Sequence, residues 1–154
     1  MELYNGVKLD DNLPLGAKNF IKGATHRQKQ FSCDTITIDE ASYGCVKMSV
    51  EVTPQTTNPY GMVHGGVLFM LADSVAGLTG ISLGKKVVTH SSNIFFIKST
   101  RSGYVHAQPR IIHNGRSTIL LEVDMTDDDG KLICKASFTM FVIGDMSEYE
   151  GENE

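Results

Sequence analysis

The hydrophobic pattern divides the chain into strand-like segments on either side of one apolar block. Apolar and polar residues alternate over about 43–53, which predicts a half-buried strand, and a similar segment over about 31–39 predicts its partner. From His64 to about residue 83 the chain is apolar nearly all the way round, and its Ala, Leu and Met residues favour a helix. Four further strands are predicted after it, at about 86–98, 102–113, 116–126 and 131–143.

A helix that is apolar on every side has to be covered on every side. The economical arrangement is an α+β fold in which an antiparallel sheet of five to six strands wraps around one long central helix. A parallel α/β sheet is disfavoured because only one good helix separates the strands. Within the sheet, Asn114-Gly115 and Asp129-Gly130 predict hairpin turns that need positive φ at both central residues.

The sequence predicts three regions: an N-terminal segment (1–30) with a short helix at 17–30, one domain at 31–143, and a flexible tail at 144–154. The tail holds five of the 18 acidic residues and no Lys or Arg, and the other 13 nearly balance the 14 basic residues. The net charge of −4 therefore belongs mostly to the tail. Because sequence-independent binding of nucleic acid needs a basic face, we expect no nucleic-acid partner.

Cysteine usage and the absence of targeting signals bear on the compartment. Cys33, Cys45 and Cys134 form no CxxC pair, which predicts reduced thiols and no metal site. The first residues show no signal-peptide pattern, so a cytoplasmic protein is expected. The apolar stretch 61–84 contains an aspartate and six glycines, a costly composition in a bilayer, so no membrane span is expected.

Asp73 stands in the middle of the predicted buried helix, with no Lys or Arg three or four positions away. An unpaired ionised carboxylate is costly in such a place, so we expect either that its protonated form is favoured or that the site opens onto a cleft. A structural alternative is a carboxylate that caps a neighbouring loop or marks a kink. Against this alternative, a lone acid in an apolar helix is more often retained for chemistry or for a polar contact at an interface.

His64, Gly65 and Gly66 stand where the same helix begins. A helix N-terminus offers free backbone N–H groups and about half a positive charge. Glycines there allow a ligand to approach the backbone closely. A carbonyl oxygen placed there would be polarised, and a developing oxyanion would be stabilised by about 3 kcal/mol per well-aimed donor. A glycine-rich turn with a polar cap is the structural alternative. A phosphate loop of the Walker type is excluded, because Lys and Ser/Thr do not follow the glycines.

The spacing of Gly65 and Asp73 leads to a prediction about assembly. Eight residues of helix separate them by about 12 Å, too far for both to act on one carbonyl within a single chain. If they cooperate, two antiparallel helices must lie side by side across a two-fold axis. Each site would then take Gly65 from one chain and Asp73 from the other. A homodimer with shared sites is therefore predicted.

The run from Asn58 through Gly61, His64-Gly65-Gly66 and Leu71-Ala72-Asp73 resembles the hotdog-fold acyl-CoA thioesterases of the phenylacetate-pathway (PaaI-like) group. The likeness covers about residues 31–143. It implies a hotdog fold, homodimers often paired into tetramers, and hydrolysis of acyl-CoA thioesters to free acid and CoA. It implies no metal and no cofactor, since CoA is part of the substrate.

The resemblance also implies roles for individual residues. Asp73 would be the nucleophile or general base, the Gly65 N–H would polarise the thioester carbonyl, Asn58 would aid from the preceding loop, and His64 would order the site. The family often places a hydroxyl on the strand after the helix, and Thr89 takes that place with Ser91 as second choice. Further residues implied in binding substrate and CoA are Gly66, Lys98, Arg101, Gly115 and Arg116.

Two other functions stay open. A hydratase with the same fold is disfavoured, because that relative usually places an Asp and a His together in a loop-helix motif, whereas Asp73 is mid-helix. A non-catalytic acyl-CoA-binding module, a sensor or structural protein, is the alternative from a different class. The presence of Asp73 argues against it, and so does the lack of a recognisable DNA-binding domain in the short N-terminal segment.

Overall fold

The computed structural model of the chain describes residues 1–27, 35–147 and 149. Two helices, α1 and α2, and eight strands make up this part of the chain. The elements follow in the order β1 (Glu2–Tyr4), β2 (Val7–Leu9), α1 (Leu15–Arg27), β3 (Ile36–Ser42), β4 (Cys45–Glu51), α2 (Gly65–Ser82), β5 (Lys85–Phe96), β6 (Tyr104–Asn114), β7 (Thr118–Thr126) and β8 (Leu132–Asp145).

All eight strands belong to one sheet with the order β1-β2-β3-β4-β6-β7-β8-β5. The six strands from β3 to β5 in this order pair antiparallel throughout, and α2 packs against them. The predicted antiparallel sheet around one central helix is thus confirmed. The hairpin of β1 and β2 was not predicted, and it extends the sheet through a parallel pairing of β2 with β3.

The core lies between α2 and the concave face of the sheet. Leu71, Ala72, Val75 and Ala76 of α2 are fully buried there. Every second residue of β7 meets them, since Ile119, Leu121, Val123 and Met125 also have no exposed surface. The alternation predicted for this strand is therefore observed. By length and composition α2 would also suit a membrane span, but in this fold it is the core helix.

The hairpins are present where they were predicted, but their turn types are different. Neither Asn114 nor Gly115 has positive φ, and Gly115 N–H instead bonds to Thr118 O at 2.9 Å. A Cβ at position 115 would lie 2.5 Å from His113 Nε2, so a side chain there would require the His113 ring to move. In the second turn only Gly130 has positive φ (77°), and its N–H bonds to Asp127 O. Both turns are longer than the predicted two-residue type.

The predicted boundaries shift at both ends of the domain. Helix α1 begins at Leu15, two residues before its predicted start, and residues 28–30 lie outside the described part. Strand β3 runs from 36 to 42 where 31–39 was predicted, and residues 31–34, with Cys33, are also outside it. Strand β8 extends to Asp145 because that residue pairs with Lys85 at the start of β5. Of the predicted acidic tail, residues 148 and 150–154 lie outside the described residues.

Candidate active site

The first turn of α2 leaves one backbone donor available. His64 is the N-cap, and its Nδ1 accepts the N–H of Gly66 at 2.8 Å. The N–H groups of Val67 and Leu68 bond to His64 O at 3.0 and 3.1 Å. Gly65 N–H has no hydrogen-bond acceptor within the described chain. His64 therefore caps the helix, and Gly66 N–H is not free for a ligand.

Gly65 opens onto a cleft of about 320 Å³, which we call the glycine cleft. Phe96 of β5 lies beside it, and a Cβ at position 65 would be 3.3 Å from its ring. Glycine therefore keeps the approach to the free N–H open. The cleft is lined by Asn58, Met62, Val63, Gly65, Leu68, Phe96, Ile97, Lys98 and Ser99.

Asn58 shapes the loop that precedes α2. Its Oδ1 accepts the N–H groups of Tyr60 and Met62 at 3.0 and 3.1 Å, and its own N–H donates to Met62 O at 2.7 Å. These bonds use the carbonyl end of the carboxamide. The Nδ2 amino group is the remaining donor of a side chain that lines the glycine cleft.

Asp73, two turns further along α2, is bound by the predicted hydroxyl residue. Thr89 Oγ1 on β5 donates to Asp73 Oδ1 at 2.6 Å. Helix and strand approach closely here because Gly80 has no side chain, and a Cβ at 80 would lie 2.7 Å from Val87. A bulge at His90 follows Thr89, so that Thr89 stands opposite the buried Met140.

Ser91, the second choice for this hydroxyl, is placed elsewhere by the bulge. Its register partner is Thr139, which neighbours Met140 along β8 and so faces the opposite side of the sheet. Ser91 thus points away from α2 and does not join Asp73 in this chain. Of the two candidates, Thr89 is the one whose hydroxyl bonds to Asp73.

Asp73 faces a second cleft of about 570 Å³, which we call the aspartate cleft. The polar lining residues are Asp73, Ser74 and Thr89, while the rest of the described lining is apolar or glycine. Of the two outcomes expected for Asp73, the opening onto a cleft is the one observed. The cleft is lined by Phe20, Ala24, Met48, Asp73, Ser74, Gly77, Leu78, Ile81, Val87, Val88, Thr89 and Met140.

The two clefts share no lining residue, so one chain does not bring Gly65 and Asp73 together. Between them α2 carries an uncovered stripe, which contains the exposed residues Gly66, Phe69 and Met70 and continues to the half-buried Asp73. Phe69 and Met70 are 37% and 39% exposed, although the rest of α2 is largely core. Strand β5 beside it is an edge of the sheet. An uncovered apolar stripe next to a free strand edge indicates an interaction surface.

The residues predicted for CoA binding divide between the two ends of α2. Lys98 lines the glycine cleft. Arg101 bonds to the loop that precedes α2, because its Nη1 donates to Tyr60 O at 2.5 Å. Gly115 and Arg116 lie at the other end, where Lys85 Nζ at the start of β5 donates to Gly115 O at 2.8 Å.

Sequence reasoning missed the contribution of α1 to the aspartate cleft. Phe20 and Ala24, four residues apart on one face of α1, line it. Their i, i+4 spacing was the available signal, but it does not reveal which surface that face covers. Among the described residues no group of three or more His, Cys, Asp or Glu could hold a metal ion.

An antiparallel sheet that wraps around one long helix is the hotdog fold, and the comparisons with known proteins agree with it. The sequence-family model of the thioesterase superfamily matches residues 60–134 of the chain. A 1,4-dihydroxy-2-naphthoyl-CoA hydrolase from Listeria monocytogenes is 32% identical over 114 residues, which are 71% of this chain and 93% of the relative. The chain therefore belongs to the thioesterase superfamily, and thioester hydrolysis is its general activity.

Solved structures show the same fold. A Streptococcus pneumoniae thioesterase protein crystallised with coenzyme A is 35% identical, with a TM-score of 0.74 over 79% of this chain and 96% of that one. A thioesterase from Staphylococcus aureus is 28% identical, with a TM-score of 0.69 over 77% of this chain and 98% of that one.

Solved variants of these two relatives carry substitutions whose separations along the sequence match those of two residue pairs in this chain. In the streptococcal protein an aspartate and a threonine sixteen residues further on were each changed to alanine. Asp73 and Thr89 have the same separation. In the staphylococcal protein a glutamine and a glutamate fifteen residues further on were each changed to alanine, and this is the separation of Asn58 and Asp73.

Proposed function

We propose that the protein hydrolyses acyl-CoA thioesters to the free acid and CoA, with Asp73 as the reacting carboxylate. The observation that carries the proposal is the hydrogen bond from Thr89 to Asp73 at the mouth of an apolar cleft. A carboxylate held in one orientation beside an apolar cavity is suited to act on the carbonyl of an apolar acyl group. The CoA-bound streptococcal relative and the naphthoyl-CoA hydrolase support CoA thioesters as the substrate class.

Asp73 serves hydrolysis in either of two ways. As a general base it takes a proton from water, the hydroxide attacks the carbonyl carbon, and the C–S bond breaks to release the CoA thiolate, which then takes up the proton. As a nucleophile its oxygen displaces the thiolate directly, and water then cleaves the resulting mixed anhydride. In both routes the carbonyl oxygen gains negative charge, and Gly65 N–H is the available donor to stabilise it.

The proposed working unit is a dimer with two shared sites. A two-fold axis that brings Gly65 of one chain close to Asp73 of the other must cross α2 midway between these two positions, near Phe69 and Met70. These are the two large apolar residues that α2 leaves exposed. The free edge of β5 lies beside this stripe and can pair with its symmetry mate. A further pairing of dimers into tetramers and a cytoplasmic location stay predictions.

In such a dimer, the basic residues near the start of α2 in one chain come close to those near the end of α2 in its partner. The C-terminal part of the partner's helix runs past Gly65, which brings the turn at Gly115 and Arg116 of the partner subunit toward Lys98 of the first chain. Lys98 is exposed beside the glycine cleft. We therefore propose Lys98 and the partner subunit's Arg116 as the contacts for CoA phosphates, with Arg101 holding the loop at Tyr60.

The test is release of CoA thiol from a panel of acyl-CoAs by the unmodified protein, Asp73→Asn and a matched control, Asp129→Asn. Asp129 is an exposed carboxylate in the β7–β8 turn, so its loss should leave the rate unchanged. Removal of a reacting carboxylate should lower kcat by about 10²- to 10⁴-fold. Equal rates for Asp73→Asn and the unmodified protein would contradict the proposal. Binding of acyl-CoA without any thiol release would favour the non-catalytic binding module.

A further inference from the structure

We infer that α1 forms the far wall of the acyl-binding cleft, and that Phe20 and Ala24 select uncharged apolar acyl groups by size. This inference rests on the proposed function, because it identifies the aspartate cleft as the place of the acyl group. Phe20 and Ala24 of α1 line this cleft together with Asp73 of α2 and Thr89 of β5. The superfamily match begins at residue 60, so α1 is outside the part of the chain that it covers.

The wall is held in place by the residues beside it on α1. Ala17 and Ile21, which neighbour Phe20 and Ala24 on the same side of the helix, have no exposed surface and belong to the core. Lys18 and Lys22 both pair with Glu2 of β1, at 3.1 and 2.6 Å. The position of α1 is therefore determined by packing and by ion pairs that do not involve the cleft.

The side chains that α1 presents to the cleft are supported by the chain's C-terminal part. The Phe20 ring contacts Tyr149 edge-to-face with 5.3 Å between ring centroids. Phe20 therefore has an aromatic neighbour that holds its ring, which makes it a defined boundary. Ala24, one turn later, is half-buried and leaves space for a larger side chain.

The lining determines what kind of acyl group fits. None of its described residues is Lys, Arg or His, and its polar groups are confined to the end at Asp73. An acyl group with a distal carboxylate would bury that charge without a partner, which is strongly unfavourable. Met48 and Met140, each 2% exposed, contribute adaptable thioether side chains to the lining. Its volume of about 570 Å³ is in the range of small-molecule sites.

The experiment compares kcat/KM for straight-chain acyl-CoAs from acetyl to decanoyl, for benzoyl-CoA, and for hexanoyl-CoA against its ω-carboxylate analogue adipoyl-CoA. The proteins are the unmodified chain, Phe20→Ala, Ala24→Phe and the control Asn19→Ala. Asn19 is on α1 but does not line the cleft. Thermal unfolding of each variant shows whether α1 remains packed.

Ala24→Phe should lower kcat/KM for decanoyl-CoA by at least about 10-fold and leave acetyl-CoA nearly unchanged, because a filled pocket rejects additional methylenes. Phe20→Ala should shift the preference toward longer or bulkier acyl groups by a similar factor. Hexanoyl-CoA should exceed adipoyl-CoA by at least about 100-fold in the unmodified protein.

Failure of this inference is distinguishable from failure of the proposed function. If Asp73→Asn is inactive but both α1 variants show the acyl preference of the Asn19→Ala control, the function stands and α1 is not the wall. Efficient hydrolysis of adipoyl-CoA would likewise overturn the predicted substrate class alone. If the unmodified protein releases no thiol, or Asp73→Asn retains full activity, the proposed function fails and this inference with it.

Discussion

Thr89 Oγ1 lies 2.6 Å from Asp73 Oδ1 and joins β5 to the middle of α2. The hydroxyl donates to one oxygen of the carboxylate and leaves the other oxygen for water or substrate. Thr89 reaches this position because it precedes the bulge at His90 and because Gly80 allows close packing of helix and strand. We therefore assign Thr89 a positioning role that depends on its hydroxyl and not on its size.

Thr89→Val should separate these two properties, since valine keeps the shape and removes the hydroxyl. A hydrogen bond to a charged group contributes about 1.5–3 kcal/mol, so kcat/KM should fall by about 10- to 100-fold. Thr89→Ser, which keeps the hydroxyl, should recover most of the activity. Steady-state measurements of kcat/KM for the unmodified protein and the two variants test this expectation. Equal losses in the valine and serine variants would assign the effect to packing.

The free N–H of Gly65 can be removed by a substitution that the helix start tolerates. Proline suits the first position of a helix, and His64 before it has an extended backbone (φ −70°, ψ 134°), as a residue preceding proline requires. Gly65→Pro should lower kcat by about 10²- to 10³-fold if this N–H stabilises the oxyanion.

Gly65→Ala is the matched control, because it adds the same Cβ beside Phe96 but keeps the N–H. It should retain far more activity than Gly65→Pro in the same thiol-release assay. If both variants lose activity equally, crowding at Phe96 is the cause and the N–H has no part in the reaction.

Met70 gives a test of the proposed helix pairing. A two-fold axis between Gly65 and Asp73 passes close to Met70, which is 39% exposed in the single chain. Met70→Lys would place two like charges side by side, which should weaken the dimer by at least about 10-fold. Sedimentation equilibrium measures this, with Tyr43→Lys as control. Tyr43 is 56% exposed in the β3–β4 turn. A dimer unaffected by Met70→Lys would place the interface elsewhere.

Cys134 predicts a loss of stability in alkaline solution. Burial raises the pKa of its thiol from 9.0 to about 11. Above pH 9 the unfolded chain ionises this thiol while the folded chain keeps it protonated, so its contribution is complete below pH 9 and is lost as pH rises to about 11. The expected loss is about 2 kcal/mol of unfolding free energy.

Urea unfolding of the unmodified protein and Cys134→Ala at several pH values isolates this contribution. The alanine variant leaves a cavity, and the stability cost of that cavity is the same at every pH. The stability difference between the two proteins should therefore shrink between pH 9 and 11. Parallel pH profiles would show that Cys134 ionises equally in both states.

Features that depend on local burial could be predicted from the sequence. The alternation of β7 and the apolar block of α2 determine which side of each element is buried, and both were predicted correctly. Asp73 and Gly65 stood out because each is unusual at its place in a buried helix. Thr89 needed the family resemblance, because a bulge at His90 cannot be read from alternation alone.

Features that depend on distant contacts were not predicted. The turn at Gly115 differs from the predicted type, because Gly115 N–H bonds to Thr118 O and neither Asn114 nor Gly115 has positive φ. The place of α1 beside the aspartate cleft depends on its ion pairs with Glu2 and on its packing in the core. The strand pairing of β2 with β3 depends on a hairpin too short to show a periodic pattern.

The central claim, that each active site combines Gly65 of one chain with Asp73 of another, is tested most directly by mixing two inactive variants. Gly65→Pro and Asp73→Asn are unfolded together and refolded, so that about half of the dimers contain one chain of each kind. Every mixed dimer has one site with both residues intact. The mixture should therefore regain about a quarter of the unmodified activity, whereas each variant refolded alone should show about 1% or less. A mixture no more active than the two variants separately, although mixed dimers have formed, would contradict the shared site.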